Sequence, residues 1–146
     1  MRILILHGPN LNRLGKREPA VYGSTTLAQV DDQIRTLAME LGVETRHFQS
    51  NHEGALIDVL HAADDDCDGI VFNPGAFTHY SYAIRDAVAS IRPPVVEVHL
   101  SDIHTREAWR RVSVVAEVCV AQIVGRGPAS YLDGLRLLVE RLRPTA

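Results

Sequence analysis

The feature that most constrains this chain is an alternation of short apolar runs with segments of helical period. Ile3 to His7 is an apolar run of strand length. Leu27, Val30, Ile34, Leu37 and Leu41 then recur at helical spacing, with Asp31, Asp32 and Arg35 on other faces. Ser24, Thr25 or Thr26 can cap that helix and Gly42 can end it. Val43 to Gln49 alternates polar and apolar residues, as an edge strand does. Asn51 suits the cap of a helix through Leu56, Val59, Leu60 and Ala63. Gly69 to Asn73 is a third strand, followed by a helix carrying Ala83, Ile84, Ala87, Val88 and Ile91 that Pro93-Pro94 stops. Val95 to Leu100 and Val118 to Val124 complete the strands, and Pro128 opens a last helix through Leu132, Leu135, Leu138 and Leu142.

Strands alternating with helices imply an α/β three-layer sandwich, a parallel sheet covered on both faces. Strands buried on both sides are continuously apolar, and only Val43 to Gln49 is not. The pattern fits a flavodoxin-like five-stranded order, 2-1-3-4-5, in one domain spanning 1–146. Val118 to Val124 would then be an apolar edge, and such an edge invites association, so an oligomer is expected.

Composition removes several function classes. The formal net charge is -3, with 15 Lys plus Arg against 18 Asp plus Glu, so the basic excess of a nucleic-acid binder is missing. No apolar run approaches the roughly 20 residues of a membrane span. The apolar start is too short for a signal peptide, and Cys67 and Cys119 form no paired motif. A cytoplasmic protein with reduced thiols is expected. Its single lysine, Lys16, lies in a polar loop, whereas Schiff-base chemistry wants a desolvated amine.

In open parallel sheets ligands lie beyond the carboxyl ends of the strands. The first strand runs into a long loop, Gly8 to Gly23, of the length that lids have. The third runs into Asn73-Pro74-Gly75-Ala76-Phe77-Thr78-His79, and the fourth into His99-Leu100-Ser101-Asp102. Alternation along the fourth strand puts Glu97, His99 and Ser101 on one face. A carboxylate beside an imidazole favours the protonated ring and suits a general acid. The competing reading is a structural histidine satisfied by Glu97. Tyr22 lies in the first loop near Arg13, Lys16 and Arg17, where a guanidinium would favour a phenolate; a loop tyrosine can equally just pack.

Other features carry less. The seven histidines show no linear zinc pattern and no two-His-one-carboxylate pattern, so no metal is expected. Asp64-Asp65-Asp66 with Asp68 lacks calcium-loop spacing. Gly125-Arg126-Gly127 could face an anion but lacks a full nucleotide fingerprint. A phosphorylation receiver would need acids where Asn10 and Asn73 stand.

Five motifs, Gly8-Pro9-Asn10-Leu11-Asn12, Arg17-Glu18-Pro19 with Tyr22-Gly23, Gln49-Ser50-Asn51-His52-Glu53-Gly54, Asn73-Pro74-Gly75-Ala76 with Thr78-His79, and Glu97-Val98-His99-Leu100-Ser101, occur in order across nearly the whole chain. Together they resemble the type II 3-dehydroquinate dehydratases. The resemblance implies a flavodoxin-like fold, no cofactor, no Schiff base, and assembly as a dodecamer, a tetramer of trimers. It implies loss of water from 3-dehydroquinate, giving 3-dehydroshikimate in the shikimate pathway. Tyr22 would be the base, Arg17 its cation, Asn10 an enolate stabiliser, and His99 the acid oriented by Glu97. Asn73, the Leu100 and Ser101 amides and the Ser101 hydroxyl would hold the substrate carboxylate. His79 and Arg110 would read ring hydroxyls, and Asp86 would reach a neighbouring subunit's site. The chain departs from the family pattern at Asp102 (commonly Asn), Trp109 (Phe), Thr105 (Ala) and His7 (frequently Asn), and Pro128-Ala129-Ser130-Tyr131 lacks a glycine often found there. The alternative function is a non-catalytic flavodoxin-like module for a small anion or nucleotide.

Overall fold

The computed structural model describes residues 1–144. Five parallel strands, β1 (Arg2–His7), β2 (Glu44–Gln49), β3 (Gly69–Asn73), β4 (Val95–Val98) and β5 (Ala121–Ile123), lie in the order β2-β1-β3-β4-β5. The expected order therefore holds, with the alternating strand at one edge. The helices are α1 (Pro19–Tyr22), α2 (Leu27–Leu41), α3 (Glu53–Asp66), α4 (Tyr82–Ala89) and α5 (Ala129–Leu142).

Helix starts and stops follow local chemistry. Of the three candidate caps of α2, Thr26 is the one used: its hydroxyl accepts from the Gln29 N–H, and the Gln29 side chain accepts from the Thr26 N–H. Gly42 ends the helix in the left-handed conformation, φ 69°. Ser81 caps α4 through the Ile84 N–H. That helix ends at Ala89, short of the proline pair. Pro128 occupies the N-cap of α5.

The core has two halves, one on each face of the sheet. Ile3, Ile5, Val71, Val96 and Val98 pack with Val30 and Ile34 of α2 and Leu135 and Leu138 of α5. Leu4, Leu6, Ile70, Phe72 and Val95 pack with Leu56 and Leu60 of α3 and Ile84 and Val88 of α4. A fully buried aliphatic side chain is worth about 1.5–3 kcal/mol, so these alternating faces dominate the stability of the sheet. No helix among the described residues is long and apolar enough to cross a membrane.

Several boundaries differ from expectation, among them α4, which ends before Ile91. β5 has three residues rather than the predicted 118–124 stretch, and those three are only half-buried. Val118 instead closes a 3-10 turn, Ala116–Val118, and with Cys119 it packs on the second core half. The apolarity of that run thus serves the turn as well as the edge strand. β4 stops at Val98, although the His99 N–H still donates to the Ile123 carbonyl at 2.9 Å. Tyr22 is not in open loop but ends a one-turn helix.

Candidate active site

The carboxyl ends of the central strands are level. His7 is in register with Gln49 on one side and Asn73 on the other. The loops leaving them are pressed together. The Gly8 N–H donates to the Asn73 carbonyl at 2.7 Å, and a Cβ on Gly8 would stand 2.5 Å from the Pro74 oxygen. Only glycine fits that approach. Gly75, φ 61°, meets the Pro9 carbonyl from the other side.

Asn10 takes a left-handed conformation, φ 68°. Asn51 fixes it: the Asn51 Oδ1 accepts from the Asn10 N–H at 2.9 Å and from the Gln49 Nε2 at 3.1 Å. Gln49 Nε2 also donates to the Gly8 carbonyl. The expected cap role of Asn51 is overturned here. His52 is the N-cap of α3 without a side-chain bond, because the Asn51 amide is spent on the neighbouring loop.

These loops enclose a polar cavity of about 270 Å³. Asn10, Arg17, Tyr22, Asn73, His79, His99, Leu100, Ser101 and Arg110 all line it, so nine of the eleven residues named from sequence meet in one place. Glu97 does not line it but stands behind His99, fully buried. Asp86 is exposed on α4 and lies outside this chain's pocket. Lys16 is exposed and takes no part in the lining.

Tyr22 and His99 are held very differently. The Tyr22 hydroxyl receives the Arg17 Nη2 at 3.2 Å and the Arg106 Nη1 at 2.7 Å. Both guanidiniums also lie over its ring, 4.4 and 5.3 Å from the centroid. His99 Nε2 donates to Glu97 Oε2 at 2.6 Å. That carboxylate also accepts from Thr78 Oγ1 at 2.7 Å, Ser113 Oγ at 2.9 Å and Gln122 Nε2 at 3.2 Å. Burial works against the charge on Glu97, but hydrogen bonds from His99, Thr78 and Ser113 outweigh it and hold the carboxyl below its usual range. An ionised Glu97 fixes the His99 ring and leaves Nδ1 to face the cavity.

Across the cavity, His79 donates Nδ1–H to the Val112 carbonyl at 2.7 Å. Burial lowers its pKa and so favours the neutral ring, whose Nε2 is an acceptor. Trp109 sits edge-on to His79 at 5.3 Å and under Arg110 at 4.0 Å, so the unusual tryptophan is part of the wall. The Leu100-Ser101 turn is pinned through its carbonyls, which accept from Gly127 and Gly125. Asp102 turns away from the cavity and accepts from the His104 N–H at 3.0 Å, so its extra carboxylate does not face a bound anion.

Sequence reasoning missed Arg106, the cation nearest the Tyr22 oxygen. Its signal was its place between Ser101 and Arg110, but no local pattern links it to a residue 84 positions earlier. It missed equally the shell of Thr78, Ser113 and Gln122 around Glu97. It also missed a two-His-one-carboxylate group in space, formed by His7, Asp31 and His47 outside the cavity.

The arrangement suits general acid–base chemistry on a small anion. Three guanidiniums and no carboxylate line the cavity, which sits where open α/β sheets place their ligands. A phenol between two cations faces an imidazole backed by a carboxylate. Fold and site therefore define the class, an α/β protein whose cavity is furnished by its own side chains for acid–base chemistry.

Comparison with known proteins makes the family specific. A family model described as dehydroquinase class II matches residues 1–139. A 3-dehydroquinate dehydratase of Anoxybacillus flavithermus is 60% identical over 140 residues, covering 96% of this chain and 95% of that one. The crystal structure of a type II dehydroquinase from Butyrivibrio crossotus superposes with a TM-score of 0.93 at 46% identity, covering 94% of this chain and 97% of the other. A type II dehydroquinase from Propionibacterium acnes gives 0.92 at 39% identity, covering 95% and 96%. The chain belongs to the class II dehydroquinase family and is a hydro-lyase.

Proposed function

We propose that this protein removes water from 3-dehydroquinate to give 3-dehydroshikimate, a step of the shikimate pathway, by anti elimination through an enolate and without a cofactor. The observation that carries the reading is the pairing, across one cavity, of a doubly cation-bound Tyr22 with a His99 held by Glu97.

Tyr22 acts as phenolate and takes the proton from the carbon next to the ketone. The C–H electron pair moves into the ring and leaves an enolate. Arg17 and Arg106 balance the charge on the phenolate, and Asn10 stabilises the enolate oxygen through a water. The enolate then collapses, its carbonyl re-forms, and the carbon–oxygen bond to the leaving hydroxyl breaks. His99 delivers its proton to that oxygen, so water leaves rather than hydroxide. Glu97 keeps the ring oriented and balances the imidazolium. Proton return from phenol to imidazole through solvent resets the site.

Asn73, the Ser101 hydroxyl and the Leu100 and Ser101 amides hold the substrate carboxylate. His79 and Arg110 read the ring hydroxyls. The Gly8 to Gly23 segment, carrying α1, covers the bound ring. We assign the subunit to a homo-oligomer, a dodecamer by family, in which the exposed Asp86 completes a neighbour's site. The short β5 edge beside exposed Val120 favours such association. The cytoplasm is the proposed location, where the free thiols Cys67 and Cys119 persist.

Mixing the purified, assembled protein with 3-dehydroquinate tests the reading. Ultraviolet absorbance should rise as the conjugated enone-carboxylate forms. A flat trace would overturn the assignment in favour of a binding module.

A further inference from the structure

Outside the cavity, three polar side chains from three elements meet, His7 buried and Asp31 and His47 half-buried. His7 ends β1, His47 lies on β2 and Asp31 on α2. Asp31 Oδ1 accepts from His47 Nδ1 at 2.7 Å and from His7 Nε2 at 2.8 Å. The side chains are only 1%, 8% and 15% exposed for His7, His47 and Asp31. One ligand atom from each lies within 4.8 Å of the other two. The far nitrogen of each ring meets a hydroxyl: His7 Nδ1 is 2.9 Å from the Tyr131 oxygen, and His47 Nε2 is 2.9 Å from Thr45 Oγ1.

We propose that His7, Asp31 and His47 form a site for a divalent first-row transition ion, represented by Zn²⁺, with solvent completing the tetrahedron. Two imidazoles and one carboxylate match zinc, whereas Mg²⁺ and Ca²⁺ want oxygen-rich shells. Binding needs both ion-facing nitrogens unprotonated, and in neutral rings a tautomer exchange achieves this. The His7 proton moves to Nδ1 and is donated to the Tyr131 oxygen; the His47 proton moves to Nε2 and is donated to Thr45. Hydroxyls both give and accept hydrogen bonds, so neither contact is lost. Such outer bonds are what orient histidines on metals. With ligand bonds of about 2.0–2.1 Å a tetrahedron spaces its donors about 3.4 Å apart, so Asp31 Oδ1 parts from each imidazole nitrogen by about 0.6 Å while the two ring nitrogens, within 4.8 Å of each other, settle to the same spacing. Asp31, the most exposed of the three, is the entry side. None of the three lines the catalytic cavity, so the ion is a clamp joining the edge strand to β1 and α2 rather than a reagent.

The test uses metal-stripped full-length protein titrated with ZnCl₂ by calorimetry and with CoCl₂ by visible absorption. One equivalent per chain should bind with micromolar or tighter affinity, cobalt should show intense tetrahedral bands, and zinc should raise the melting temperature. His47→Gln, checked for folding by circular dichroism and by turnover, should bind at least about tenfold more weakly. Asp31→Asn should do the same, and if it fails to fold His47→Gln decides alone. His61→Gln, exposed on α3, should bind as the parent does. No saturable binding below about 1 mM, or unchanged affinity in His47→Gln, would overturn the proposal.

Discussion

Arg106 donates to the Tyr22 hydroxyl at 2.7 Å, closer than Arg17 at 3.2 Å, although Arg17 is only five residues from the tyrosine and Arg106 comes from the segment after β4. The Tyr22 hydroxyl is therefore held by two cations from independent elements. Arg106→Gln should lower kcat by about 10- to 100-fold, no less than Arg17→Gln does, each tenfold being about 1.4 kcal/mol of barrier. Steady-state kinetics on both variants decide it. A nearly normal Arg106→Gln would reduce that contact to packing.

In the proposed mechanism Tyr22→Phe removes the base and leaves the carboxylate clamp of Asn73 and Ser101 in place. General-base catalysis contributes about 10²- to 10⁴-fold, so kcat should fall by that order while KM changes little. If KM collapses and kcat survives, Tyr22 binds rather than reacts.

Glu97 gives a pH signature in stability. Its folded pKa lies below its unfolded value, so its contribution is present above the unfolded value, about 4.3, and is lost as pH falls through the folded one. Glu97→Gln should be less stable than the parent at pH 7 by about 1.5–3 kcal/mol, the scale for hydrogen bonds to a charged group. In urea unfolding the gap should close progressively as pH falls below about 4. A gap independent of pH would mean that the buried carboxyl is protonated throughout. Turnover of Glu97→Gln should also fall, because His99 loses its orienting anion.

Cys119 reports on the same region. Burial, reinforced by the charge of Glu97, pushes its thiol up from 9.0 to about 12. At pH 8 its thiolate is about a thousandfold scarcer than that of an ordinary cysteine, and thiolate is the reacting form. Mass spectrometry after iodoacetamide treatment should find Cys119 unmodified in the native protein and modified in urea. Rapid native labelling would contradict the burial that also shelters Glu97.

Local chemistry was legible wherever a pattern repeats within a few residues. Ser24-Thr25-Thr26 marked the start of α2, Gly42 its end, and the alternation of Val43 to Gln49 the edge place of β2, while the structure chose Thr26 among the three caps. The strand ends, and with them Asn10, Asn73 and His99, could be read because parallel sheets put their sites at one edge, whereas Tyr22, equally able just to pack, was singled out by the family resemblance. Asn51 was misread for a related reason: its sequence neighbourhood favours a cap, while the Asn10 amide that claims it is 41 residues away.

The sequence by itself determined the order of elements, which faces are apolar and which residues stand at strand ends, since periodicity and turn chemistry act over a few residues. Tertiary structure alone decided that Arg106 reaches Tyr22, that Thr78, Ser113 and Gln122 surround the Glu97 carboxylate, and that His7, Asp31 and His47 touch. Those contacts join residues from different strands, helices and turns. They are fixed by packing of the sheet and its covering layers, and no short-range preference encodes them.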